Sequence, residues 1–220
     1  MGATAKAYKG IGMQGFIARW YSRTTAKSMP DFVSDARRVA ALLQTGARVL
    51  EVAPGPGYFA IELAKLGDYR VTGLDISKTL VDIASCNARN ARVDVDFQLG
   101  NASAMPFEAS QFDFLFCRAA FKNFSEPVRA LQEMQRVLKP GGRGLIIDLR
   151  GDAPLDAIND AVGRMDLGAF NAWLTRMAFR FMLIKRAYTK AQFEKFFAET
   201  QFRAVRIDES PLGFEIWLEK

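Results

Sequence analysis

A change of hydrophobic period across two glycines constrains this chain more than any other feature. Val49, Leu50 and Val52 form a short apolar, β-branched run, and Tyr58, Ile61, Glu62, Leu63 and Leu66 follow at helical spacing, with Gly55-Pro56-Gly57 between the two. That order predicts a strand, a tight turn and a helix N-terminus. Glycine lets the backbone pass close to a ligand, and the free N–H groups of a first helical turn present partial positive charge to it. Asp75 closes a second expected strand about 20 residues on, where a carboxylate accepts hydrogen bonds from both hydroxyls of a ribose. The unit implies a site for a nucleoside cofactor.

Two cofactor classes fit the turn alone, because Gly55-x-Gly57-x-x-Ala60 also matches the dinucleotide fingerprint with alanine in third place. Five blocks in order separate them. Glu51-Val52-Ala53-Pro54-Gly55-Pro56-Gly57 is followed by Gly73–Ser77, Gly100–Phe107, Phe112–Cys117 and Arg136–Asp148. In these blocks the chain resembles the class I S-adenosylmethionine (SAM) methyltransferases, closely over residues 46–150 and loosely at the ends. A departure is Ala53-Pro54, where that family more often has glycine and a variable residue. The resemblance implies a Rossmann-like, doubly wound α/β fold: a seven-stranded sheet with a C-terminal antiparallel hairpin, a helical N-terminal segment and a helical insertion before the last two strands. It implies SAM as cofactor and S-adenosylhomocysteine as product, held by Glu51, Ala53, Gly55, Gly57, Asp75, Ile76, Asn101, Ala102, Arg118 and Phe121. At Asn101 the family usually has an aspartate that accepts from the adenine amino group; an amide oxygen can also accept, without the charge.

Length and composition bound the rest. A chain of 220 residues, half hydrophobic and one quarter charged, suits one well-filled domain. The expected divisions are N-terminal lid or cap helices at 1–45, a cofactor-binding core at 46–150, a helical insertion at 151–187 and a closing helix with hairpin at 188–220. The net charge of +6 is dispersed, with no block of like charges, so no nucleic-acid partner is expected. The two cysteines are too few for a disulfide framework or metal site. No histidine occurs, which excludes Ser-His-Asp, Cys-His and His-ligated metal chemistry. No apolar run approaches the roughly 20 residues of a membrane span and no signal-peptide pattern opens the chain, so a cytoplasmic location and no membrane partner are the expectation.

The remaining elements carry the acceptor question. Phe16, Ile17 and Trp20 are read as anchoring a short N-terminal helix on the core, and Trp20 with Tyr21 as helping to close the cleft, two readings that can coexist. A helix N-capped by Asp31 and running to about Leu43 follows. The loop Arg118–Phe124, at the C-terminal end of the expected central strand, faces the reacting atoms. There Phe121 and Phe124 either line the site beside the sulfonium or pack in the core, and Lys122 is either solvated or binds an anionic acceptor. Residues 170–184 place Phe170, Trp173, Leu174, Met177, Phe181 and Ile184 on one helical face, open to reading as a lid, a homodimer face or core. Methyl transfer from a sulfonium needs positioning above all, with a base optional. Tyr8, Tyr21 and Lys122 are the candidates for that role, and a small apolar or aromatic molecule is the expected acceptor. A non-catalytic cofactor-binding subunit and a nicotinamide oxidoreductase are the alternatives; the latter lacks a Tyr-x-x-x-Lys pair.

Overall fold

The computed structural model describes residues 8–9, 12–163, 168, 173, 176–177 and 184–220. Seven strands form one sheet: β1 (Arg48–Val52), β2 (Arg70–Asp75), β3 (Val95–Leu99), β4 (Phe112–Arg118), β5 (Leu138–Leu149), β6 (Ala204–Glu209) and β7 (Gly213–Glu219). Their order is β3-β2-β1-β4-β5-β7-β6, so β3 and β6 are the edges. The first five run parallel, as strands joined by helical crossovers do, and β7 inserts antiparallel between β5 and β6. Strand order reverses between β1 and β4, and the carboxyl ends of those strands open the crevice where such sheets bind ligands.

The helices among the described residues are α1 (Gly15–Thr25), α2 (Met29–Ala40), α3 (Tyr58–Ala64), α4 (Lys78–Ala91), α5 (Pro127–Val137), α6 (Leu155–Gly163) and α7 (Lys190–Ala198). Local signals set their ends. The Ser77 hydroxyl accepts from the Leu80 N–H at α4, and Thr189 forms a reciprocal capping box with Gln192 at α7. Helix α2 begins before the expected Asp31 cap, with Pro30 in its first turn, where the missing N–H costs nothing. Strand β5 takes in Pro140-Gly141-Gly142; the register shifts between Phe112 and Phe114, and the Gly141 N–H pairs with the Lys220 carbonyl at 2.8 Å.

Val49, Leu50 and Val52 of β1 and Phe114, Leu115, Phe116 and Cys117 of β4 are fully or almost fully buried, as central parallel strands are. One face of the sheet packs under α2 and α3, where Phe59 stacks on Phe116 at 3.7 Å between ring centroids. The other packs under α5 and α7 through Leu131, Met134, Phe193, Phe214 and Ile216. The face expected at 170–184 lies largely outside the described residues; Trp173 and Met177, which are described, are exposed.

Candidate active site

The turn after β1 has the backbone its glycines foreshadow. Gly55 (φ 56°) and Gly57 (φ 79°) are left-handed, and Ala53 (φ 57°) joins them at the cost a β-carbon carries there. A β-carbon on Gly57 would lie 2.5 Å from Phe97 Cζ, and one on Gly73 2.5 Å from Phe97 Cδ1. The close approach of turn, β2 and β3 therefore requires both glycines.

Two buried carboxylates close the strands beside that turn. Glu51 Oε2 accepts the Ala60 N–H at 3.0 Å, holding the acid against the first turn of α3. Burial pushes its carboxyl up to about 8, the Ala60 hydrogen bond opposes this, and the charge of Asp75 adds to the rise. Asp75 accepts the Gly55 N–H at 3.1 Å on Oδ2 and the Ser77 N–H at 2.8 Å on Oδ1. Burial lifts it to about 6, against the backbone N–H bonds. At neutral pH Glu51 is therefore mostly neutral and Asp75 mostly ionised, two acids of opposite role set by their surroundings.

A third strand end completes the crevice. The Gly100 N–H bonds the Asp75 carbonyl at 2.9 Å, and Asn101 Oδ1 accepts the Ser103 N–H at 3.0 Å. One lone pair of that amide oxygen stays available. Ala102 is buried and Ile76 is 40% exposed, an apolar rim beside Asp75.

The N-terminal segment lies across this crevice. The Ser77 hydroxyl bonds the Met13 carbonyl, and the Gly15 N–H donates to Thr79 Oγ1 at 3.0 Å. Tyr21 Cε1 stands 3.3 Å from where a β-carbon on Gly55 would be, and the Tyr58 hydroxyl donates to the Ser22 carbonyl at 3.1 Å. Farther out, Tyr8 bridges to Phe124 and the Lys9 N–H bonds the Asn123 carbonyl at 2.8 Å. Burial raises the Tyr8 phenol; Arg186 lowers it, and Tyr21, Asp75 and Asp148 raise it further. Both tyrosine candidates thus lie with the crevice.

Lys122 does not. Its Nζ donates to Asp148 Oδ1 at 3.0 Å and to the Ala119 carbonyl, while its backbone N–H donates to Asp148 Oδ2 at 2.8 Å. The side chain is 5% exposed and that of Asp148 1%. The solvated reading of this lysine fails, because the end of β5 brings a carboxylate to it. Arg118 is likewise engaged, paired with Asp35 and, at 3.3 Å, with Asp31 of α2, and its guanidinium lies over the Phe32 ring. Burial raises the Asp35 carboxyl, and Arg118 opposes that. Phe121 is fully buried against Phe124, Phe193 and Tyr188, which fits the packing reading.

One pair escaped the sequence reading. Lys9 Nζ donates to the Tyr188 hydroxyl and lies 4.2 Å from the centre of its ring. Burial lowers the Lys9 ammonium and raises Tyr188 to about 12, with Asp148 adding to the latter. No spacing in the sequence joins residues 179 apart. Among the described residues no group of three or more Cys, Asp or Glu is placed to hold a metal. Two surface depressions lie elsewhere, one by α7 and β6 and one at the amino ends of β1, β4 and β5.

A glycine turn against two buried acids, at the switch point of a sheet closed by an antiparallel hairpin, defines a Rossmann-like domain built for an adenosyl ligand. Residues 50–146 match the model of the methyltransferase domain, and in sequence and topology the chain is similar to the class I SAM-dependent methyltransferases. It is 34% identical over 131 residues to a demethylmenaquinone methyltransferase of Deinococcus radiodurans, covering 59% of this chain and 54% of that one. It is 31% identical over 106 residues to a ubiquinone/menaquinone biosynthesis C-methyltransferase of Bdellovibrio bacteriovorus, covering 48% and 45%. The chain spans about half the length of the curated relatives it matches. In fold it resembles a chain from Methanococcus maripaludis assigned to the SAM-dependent methyltransferases (TM-score 0.75, 21% identity, covering 100% and 97%). It also resembles the plantazolicin methyltransferase BpumL, solved with S-adenosylhomocysteine (0.69, 14%, 92% and 88%). SAM is the cofactor of the family, and the residues fit it: Asp75 keeps lone pairs for ribose hydroxyls, and the turn is bare of side chains at Gly55 and Gly57.

Proposed function

We propose that the protein transfers the methyl group of SAM to a small, apolar or aromatic acceptor, by in-line displacement that depends on positioning. The observation that carries this reading is Asp75, an ionised, buried carboxylate fixed by the Gly55 and Ser77 N–H groups at the mouth of the crevice. Bound there, SAM supplies a sulfonium whose methyl carbon passes to the acceptor while S-adenosylhomocysteine leaves.

The chain's own residues do the rest. Asp75 holds the ribose, Asn101 accepts from the adenine amino group, and neutral Glu51 fixes the glycine turn through Ala60. Tyr21 and the segment around it exclude water above the turn, which strengthens every polar contact below. Proton removal, where an acceptor needs it, falls to Lys9, whose ammonium burial lowers and which hydrogen-bonds with Tyr188. Burial raises the Tyr8 phenol, which works against that residue as the base. The relatives named for demethylmenaquinone support a ring acceptor of quinone type. A second reading, a SAM-binding subunit without turnover, draws on Tyr21 standing over Gly55.

Calorimetric titration with SAM, S-adenosylhomocysteine and NAD⁺ tests the cofactor. Both adenosyl ligands should bind, NAD⁺ should not, and Asp75→Ala should weaken binding by at least about 100-fold, since two hydrogen bonds to a charged group are lost. Binding of NAD⁺ alone would sink the proposal. S-adenosylhomocysteine release with quinol, phenol, thiol and amine acceptors then separates turnover from the subunit reading.

A further inference from the structure

The outer face of α1 has the makeup of a lipid-contacting helix. At about 100° per residue, Phe16, Trp20 and Arg23 share one stripe, with Arg19 on one flank and Ile17 on the other. Phe16 is 79% exposed and Trp20 59%, contrary to the expectation that they anchor the helix. Ala18, Tyr21 and Ser22 face the domain instead. Residues 1–30 contain Lys6, Lys9, Arg19, Arg23 and Lys27 and no Asp or Glu. Among the described residues Arg19, Arg23 and Lys27 take part in no ion pair.

We propose that this face docks the protein peripherally on an anionic phospholipid bilayer, with Phe16, Trp20 and Ile17 entering the headgroup region and Arg19, Arg23 and Lys27 meeting lipid phosphates. Charge selects the occupant. A second copy would bring like cations against like, which repel, whereas a negative surface neutralises them and accepts exposed aromatic rings at its polar boundary. Among the described residues no helix is long and apolar enough to cross a membrane. The opposite side of the same helix rests on the Gly55 turn through Tyr21, so docking sets the crevice beside the bilayer. The inference goes beyond the proposed function and holds whatever the acceptor.

The test is sedimentation of the full chain with vesicles of mixed phosphatidylglycerol and phosphatidylcholine, against vesicles of phosphatidylcholine alone. Binding should require the anionic lipid and be lost at about 0.5 M salt, where screening acts within a few ångströms. Arg19→Gln and Arg23→Gln should each weaken it roughly five-fold, and Phe16→Ser/Trp20→Ser should abolish it. Titration with S-adenosylhomocysteine, unchanged in the arginine variants, confirms that they fold. Equal binding to neutral vesicles, no binding at all, or arginine variants that bind like the parent would overturn the proposal. So would a dimer that Trp20→Ser dissociates in a protein that ignores vesicles.

Discussion

Replacing Glu51 by glutamine removes a titrating group while keeping its shape and an oxygen that can accept the Ala60 N–H. In the folded chain this carboxyl is raised from 4.5 to about 8, chiefly by burial. An acid raised on folding keeps its proton in the native state while the unfolded chain releases it. Stability is therefore highest at or below about pH 4.5 and falls as pH rises toward 8. A rise of that size, at about 1.4 kcal/mol per pH unit, amounts to roughly 4–5 kcal/mol over the whole range and about 2 kcal/mol between pH 6.5 and 8.5. Few other groups act in that window: no histidine is present, Asp75 passes its midpoint at about 6, and the buried Cys117 thiol, pushed up by burial, adds a small loss at the upper edge in parent and variant alike. Urea unfolding of the cofactor-free protein at pH 6.5, 7.5 and 8.5, followed by tryptophan fluorescence, measures the slope. The parent should lose about 2 kcal/mol across the series, and Glu51→Gln should be nearly flat and the more stable of the two at pH 8.5. Equal slopes in parent and variant would mean that Glu51 is ionised in the fold, and the opposite roles assigned to the two acids would fail.

Two further outcomes follow from the same geometry. Lys122→Met should cost about 3–5 kcal/mol in urea unfolding, because Asp148 is left charged and buried, and Lys122→Met/Asp148→Leu should regain most of it; unchanged stability would mean that the ammonium serves something other than Asp148. Gly57→Ala should lose adenosyl binding and at least about 2 kcal/mol, from a left-handed backbone and a β-carbon driven into Phe97, whereas Gly141→Ala, at φ 75° with open space around it, should cost only about 1 kcal/mol.

The cofactor half of the molecule was legible in the sequence because its determinants are local. The turn at Gly55 and Gly57 and the closing hairpin each depend on residues a few positions apart. What the sequence hid was pairing across the fold. Lys122 reads as a loop lysine until β5 brings Asp148 to it, and Arg118 reads as a cleft residue until α2 offers Asp35. Lys9 and Tyr188 meet only because the N-terminal segment lies along the loop after β4. Helical periodicity placed Phe16 and Trp20 on one face of α1 but could not say whether that face turns inward.

An open sheet carries a standing hazard at its margins, since unpaired N–H and C=O groups there invite a strand from another molecule. The two margins here answer it with charge. On β6, the exposed Arg206 and Asp208 pair with each other at 3.0 Å, and the exposed Glu209 is held by Lys190 and Arg150. On β3, Asp96 is exposed between Val95 and Phe97. A strand approaching either margin would have to strip water from these groups before gaining a single ladder bond, so growth of this sheet into fibrillar assemblies is opposed at both ends.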